Sequence, residues 1–221
     1  MSIGDAEIKT QERVIRFFKD PEILGYQYIG NLSDYQNKNI KEDRLRQYLR
    51  LKGYADKLID AAVMQLQQEA GNLSRGVYDA NKTVYSRLKY GIPVSESPEK
   101  PPVTVELIDE ANPLNNDFAI AEEVTVVEQQ EKRPDLVIYL NGIAVAVIEL
   151  KRSSISVSEG IRQNLTNQKD SFIRGFFTTM QFCMAGNESE GLRYGTLLTG
   201  EKFYMEWKDD GFKEHEEERD P

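Results

Sequence analysis

The chain has 221 residues, 39% of them hydrophobic and 29% charged, and a net charge of −9. Those values suit a globular protein with a sizeable core, and no run of about 18 apolar residues exists to cross a bilayer. The acidity argues against a strong general electrostatic grip on nucleic acid. Residues 208–221 alone, with seven acids and three bases, carry −4 of it. The opening MSIGDAEIKTQERV has no apolar signal-peptide stretch. The single cysteine, Cys183, cannot form an internal disulfide, which fits a reducing cytoplasm and a core role for that residue.

Along the chain, apolar spacing predicts a helix over 5–19, which Pro21 ends or redirects. A short strand is expected at 24–29. Leu45, Tyr48 and Leu49, then Leu58, Ile59, Ala62, Val63 and Leu66, recur at helical spacing and predict helices at 41–51 and 54–70, split at Gly53; another is expected at 79–89. Residues 92–102, rich in Pro, Ser and Glu, read as a loop. From 103 the period changes to that of strands, expected at 103–107, within 118–127, at 133–140 and 143–151, and late at 195–199 and 203–207. Ser158 and Glu159 open a helix over 159–168, and 171–185 fits either helix or strand. The sum is an α/β chain: residues 1–100 a helical portion, 101–208 a core with the sheet, and 209–221 an acidic tail, with 1–208 forming one domain.

The informative stretch is RPDLVIYLNGIAVAVIELK, residues 133–151. It reads as two strands joined at Asn141-Gly142. Strict alternation puts Ile143, Val145, Val147, Glu149 and Lys151 on one face and Ala144, Ala146, Ile148 and Leu150 on the other. A plain two-residue turn would pair Asp135 with Ile148, facing away from Glu149. A three-residue turn, or an equivalent bulge, would instead place Asp135 on the face of Glu149, about 7–8 Å away diagonally at the backbone. Two carboxylates and a lysine gathered at one hairpin end are the groups that hold a hard cation and act on a phosphodiester. The competing reading is an edge-strand cap and a surface ion pair.

At these residues the chain resembles the PD-(D/E)xK nucleases and, more narrowly, the N-terminal nuclease region of the R subunit (HsdR) of type I restriction enzymes. Lys89–Val94, Phe118, Phe176–Met184, Gly195-Thr196 and Tyr204–Lys208 extend the likeness over most of 80–208. The resemblance implies a restriction-endonuclease-like mixed central sheet flanked by helices. It implies Mg²⁺, or Mn²⁺ in its place, held by Asp135, Glu149 and the Leu150 carbonyl, with Lys151 orienting or deprotonating the attacking water. Gln163 matches the glutamine of the family's QxxxY motif, while Asn167 stands where the tyrosine belongs. A first-helix glutamate near the metal would be Glu12, or else Glu7. Beside the resemblance, Arg152, Arg162, Lys169 and Arg174 follow the hairpin and read equally as a basic rim near the site or as ordinary solvated helix charges; on the first reading Arg152, Arg162, Gln168 and Lys169 would meet double-stranded DNA. ATP would enter only through motor domains outside this chain, and the partners would be methyltransferase and specificity subunits. The expected function is metal-dependent endonuclease; the alternative is a catalytically silent docking module on the same fold.

Other signals carry less. Gly195–Lys202 lacks the Lys-Ser/Thr that must follow the second glycine of a phosphate loop and reads as a turn. His215, the only histidine, rules out a histidine-based triad. Arg44, Arg46, Arg50, Lys52 and Lys57 read as a solvated helix surface, and Tyr26, Tyr28 and Tyr35 as core or loop aromatics.

Overall fold

The computed structural model describes residues 3–97 and 99–208, with side chains from residue 8 onward; the acidic tail and His215 lie outside the described residues. In chain order the helices are α1 (Ile3–Lys19), α2 (Glu42–Leu51), α3 (Asp56–Gly71), α4 (Val77–Tyr90) and α5 (Val157–Asn167). The strands are β1 (Gln27–Asn31), β2 (Ile92–Val94), β3 (Val103–Val105), β4 (Phe118–Glu122), β5 (Val126–Val127), β6 (Glu131–Lys132), β7 (Leu136–Leu140), β8 (Ile143–Leu150), β9 (Phe182–Asn187), β10 (Gly191–Gly195) and β11 (Met205–Glu206).

The helices follow from the apolar spacing. Leu45, Tyr48 and Leu49 of α2 and Leu58, Ile59, Ala62, Val63 and Leu66 of α3 form one buried cluster with Val84 and Leu88 of α4. Residues 92–94, read as a loop, form β2 and pair antiparallel with β3. Pro93 is exposed between buried Ile92 and Val94, and a proline without an N–H is tolerated in such a two-stranded edge. Packing of its two neighbours decided the conformation. Residues 171–185 resolve into a 3₁₀ segment, Arg174–Thr179, and β9. The late strand ends at Gly195, because Thr196 and Thr199 close a turn through backbone and hydroxyl hydrogen bonds.

A seven-stranded mixed sheet, in the order β1-β4-β7-β8-β9-β10-β11, forms the centre. β8 and β9 are parallel, joined through α5. The helical portion and the sheet are interleaved, so the division at residue 100 does not separate two structural parts. β1 lies parallel to β4 within the sheet; α1 packs Ile15 against Ile120, Ile148 and Leu150; and β2 pairs with β3 across residue 100.

The β7–β8 hairpin departs from simple alternation. Its turn is the two-residue kind: Leu140 pairs with Ile143, and both Asn141 and Gly142 have positive φ, 52° and 82°, as a type I′ turn requires. Tyr139 pairs with Ala144 but Ile138 with Ala146, which leaves Val145 as a bulge. The extra residue reverses the face of everything beyond it. Ala144 therefore joins Val147 in one core cluster, while Ile143 and Val145 face the helical cluster. Past the bulge Leu136 pairs with Ile148, so the ladder continues to Asp135 opposite Glu149.

Candidate active site

Asp135 is placed by the backbone on both sides. Its carbonyl accepts the Glu123 N–H at 2.8 Å, and the Pro134 carbonyl accepts the Val124 N–H at 3.0 Å. Across the hairpin the Leu150 N–H donates to Asp135 Oδ2 at 2.6 Å. That bond holds one carboxylate oxygen at the end of β8, beside Glu149.

Glu149 is fully buried. Oε2 accepts from Gln163 Nε2 at 2.7 Å, while Oε1 meets no hydrogen-bond donor among the described residues. Burial raises its pKa well above the ordinary 4.5, and the negative charges of Asp135 and Glu123 raise it further; the Lys151 ammonium opposes them. A hydrogen bond between the two carboxyls, also among the causes, is possible only when one of them holds a proton. Two acceptors brought together inside a protein need a cation or a proton between them.

Gln163 reaches Glu149 because α5 lies very close to the sheet. A Cβ on Gly160 would sit 3.0 Å from the Ala185 Cβ and 3.5 Å from the Glu149 Cβ, so glycine permits the approach. Gln163, three positions on, lies on the same helix face. The Lys151 backbone N–H donates to the Gly186 carbonyl at 2.9 Å, and its ammonium donates to the Leu150 carbonyl at 3.0 Å. A positive charge thus already stands among Glu149, Asp135 and that carbonyl.

The sequence pattern of the family described as type I restriction enzyme R protein N terminus matches residues 7–203. The chain belongs to this family. Its curated relatives include a Methanocaldococcus jannaschii protein provisionally named the type I restriction enzyme MjaIXP endonuclease subunit, 33% identical over 97 residues, 40% of this chain and 9% of the relative. The type I restriction enzyme SsaAORF53P endonuclease subunit of Staphylococcus saprophyticus is 29% identical over 112 residues, 48% of this chain and 12% of the relative. The SauMSSORF170P endonuclease subunit of Staphylococcus aureus is 27% identical over 111 residues, again 48% and 12%. The chain spans about a tenth of the length of these relatives.

Within this R-protein N terminus the remaining predicted residues separate. Glu12 is exposed, and the buried α1 residue beside it is Gln11, whose amide donates to Glu122 Oε2 at 2.9 Å and Glu123 Oε1 at 3.2 Å. The helix turns Gln11, and not Glu12, toward the acids beside the hairpin; the Glu7 side chain lies outside the described residues. Gln168 is buried and does not rim the site: it donates to Cys183 Sγ at 3.6 Å and accepts the Leu198 N–H at 2.7 Å. Arg162 pairs with Glu201 and Glu159, and Arg174 with Asp170. Lys169 is exposed and Arg152 half-buried. Asn167 is buried and its carbonyl accepts the Ile173 N–H, so no ring stacks from the family's tyrosine position. Glu123 escaped the sequence reading. It lies in a loop at a left-handed φ of 51°, and only the pairing of Glu122 with Leu136 brings it beside Asp135.

Four of the five cations in the basic run are paired: Arg44 with Asp117, Arg46 with Glu42 and Asp60, Arg50 with Asp56 and Lys52 with Asp109; Lys57 is exposed. Among the described residues no helix is long and apolar enough to cross a membrane.

Proposed function

We propose that this domain is the Mg²⁺-dependent endonuclease of a type I restriction enzyme R subunit, hydrolysing phosphodiester bonds of double-stranded DNA. The carrying observation is the Asp135–Glu149 carboxyl pair, with Glu149 Oε1 buried and unsatisfied. Among the described residues no group of three or more His, Cys, Asp or Glu could hold a metal ion; the protein donors in this reading are the two carboxylates and the Leu150 carbonyl. That set suits Mg²⁺, which takes oxygen ligands and keeps several waters, and Mn²⁺ in its place. When bound, the ion would supply a water of lowered pKa and neutralise charge at the scissile phosphate.

The chain's own groups have distinct tasks in this reading. Asp135, anchored by the Leu150 N–H, and Glu149, anchored by Gln163, hold the ion. The Lys151 ammonium, which donates to the Leu150 carbonyl, would orient the attacking water and offset charge on the phosphate. Arg152 and Lys169 supply positive charge nearby. Sequence recognition and ATP-driven motion belong to methyltransferase and specificity subunits and to motor domains outside this chain.

Calorimetric titration with Mn²⁺ tests the reading. Asp135→Asn is expected to weaken binding by at least about 10–100-fold, the loss typical of removing even a residue that supports a ligand, and to stop cleavage of duplex DNA. Equal binding by wild type and variant would refute it. Gln163→Leu removes only the donor that orients Glu149, so binding and cleavage should each fall within that same range of about 10–100-fold while the melting temperature stays near that of wild type. Full cleavage by Gln163→Leu would reduce Gln163 to a packing residue.

A further inference from the structure

A groove of about 580 Å³ lies at the C-terminal end of α5, where Lys169 and Arg174 meet Arg75 and Tyr78 from the start of α4. Arg174 is paired with Asp170. Arg75 and Lys169 are exposed, and no ion pair or hydrogen bond engages either side chain among the described residues. The charged groups lining the groove are three cations and one acid, on a chain whose net charge is −9. Arginines elsewhere, such as Arg44, Arg87, Arg162 and Arg193, are each spent on a carboxylate. Arg75 and Lys169, brought into one groove from distant parts of the chain beside a single acid, favour an anionic occupant there.

The groove has a built floor. Gln168 accepts the Leu198 N–H at 2.7 Å, which fixes Leu198 at a left-handed φ of 59° against the end of α5. Buried Gln168 thus shapes the groove, and its exposed neighbour Lys169 lines it. Lys169 follows Gln163 by six positions and lies two residues past the end of α5 at Asn167; the four helical steps from Gln163 to Asn167 rise roughly 6 Å at 1.5 Å per residue. A duplex carries one phosphate charge per about 1.7 Å of axis, so a duplex cut beside Gln163 has several phosphates within that reach.

We propose that this groove holds the phosphate backbone flanking the scissile bond, with Arg75 and Lys169 as its phosphate contacts and the exposed Tyr78 hydroxyl as a further donor. The proposal rests on the nuclease reading for the identity of the polyanion. Its test is a binding measurement that needs no cleavage. Fluorescence anisotropy of a labelled DNA duplex, in Ca²⁺ and over a series of salt concentrations, compares wild type with the double variant Arg75→Gln/Lys169→Gln and with Lys57→Gln, an exposed cation on α3. The double variant should bind about tenfold or more weakly at low salt, and the slope of log affinity against log salt should fall by roughly 1.8, about 0.9 per lost phosphate contact. Lys57→Gln should match wild type, as should the melting temperature and Mn²⁺ affinity of the double variant. An unchanged slope in the double variant, an equal change in Lys57→Gln, or no duplex binding by wild type would each overturn the groove. Failure of the nuclease reading shows separately, as Mn²⁺ binding indifferent to Asp135→Asn.

Discussion

Replacing Glu149 by glutamine is expected to abolish cleavage and, in the same protein, to stabilise the metal-free fold. The activity loss should reach roughly a hundred- to a thousand-fold, the scale of removing one group that stabilises transition-state charge, because the site loses half its carboxylate donors. The gain in stability has the opposite physical source. Glu149 is buried beside Asp135, and burial is the first cause of its raised pKa. The folded state therefore binds this proton more tightly than the unfolded chain does. Its contribution to stability is fully present below the unfolded carboxylate value and is lost as pH rises through the raised folded value. In a chelator, wild-type stability should fall across that window, and Glu149→Gln should lack this falling limb. The substituted amide also gives Asp135 a donor in place of a second acceptor. Melting curves across pH, with and without chelator, together with a cleavage assay, read both effects. A variant that cleaves like wild type, or that shows the wild-type pH limb, would contradict the assignment of Glu149.

Gly142→Ala, outside the site, is expected to destabilise the fold severely. The glycine has a φ of 82°, and an added Cβ would lie 2.7 Å from the Lys41 carbonyl oxygen and 2.8 Å from the Leu45 nitrogen. Backbone strain and overpacking each cost about 1–3 kcal/mol, so a loss on the order of 3–5 kcal/mol is expected, a large part of a typical domain's stability. The start of α2 cannot retreat cheaply, since the Lys41 N–H donates to the Gly142 carbonyl at 2.7 Å. Asn141 beside it is fully buried and accepts from the Asp117 N–H while donating to the Leu107 carbonyl and Asn116. A chain that escapes the clash by opening the turn also loses the register that sets Asp135 opposite Glu149. The urea midpoint and cleavage should therefore fall together. A stability within about 0.5 kcal/mol of wild type, the range of ordinary surface changes, would contradict the α2–turn clash.

The legibility of this chain differs from element to element. Helices α2 and α3 were plain because their buried residues repeat at three and four positions, a local signal. The hairpin was equally plain from its apolar run and Asn-Gly turn. The bulge at Val145 was not: it sits in a run of six consecutive apolar residues, Ile143 to Ile148, and nothing in their identity says which one is left unpaired. Arg162 and Gln168 read as DNA contacts because their types suit that role. Whether a side chain is already spent on Glu201 or folded in against Cys183 depends on residues far away in sequence. Gln11 and Glu123 went unnoticed for the same reason, since each gains its place only when α1 and the end of β4 meet beside the hairpin.

By itself the sequence determined the α/β class, the family, and the candidate chemistry in Asp135, Glu149, Lys151 and Gln163, because composition, period and motif are local properties. Tertiary structure alone decided the geometry. It chose a two-residue turn with a bulge, set Asp135 opposite Glu149, buried the second carboxylate under α5, and brought Arg75 and Lys169 together in one groove. Those outcomes depend on which distant groups fill the space and the hydrogen-bonding capacity around each residue, and no short stretch of chain contains that information.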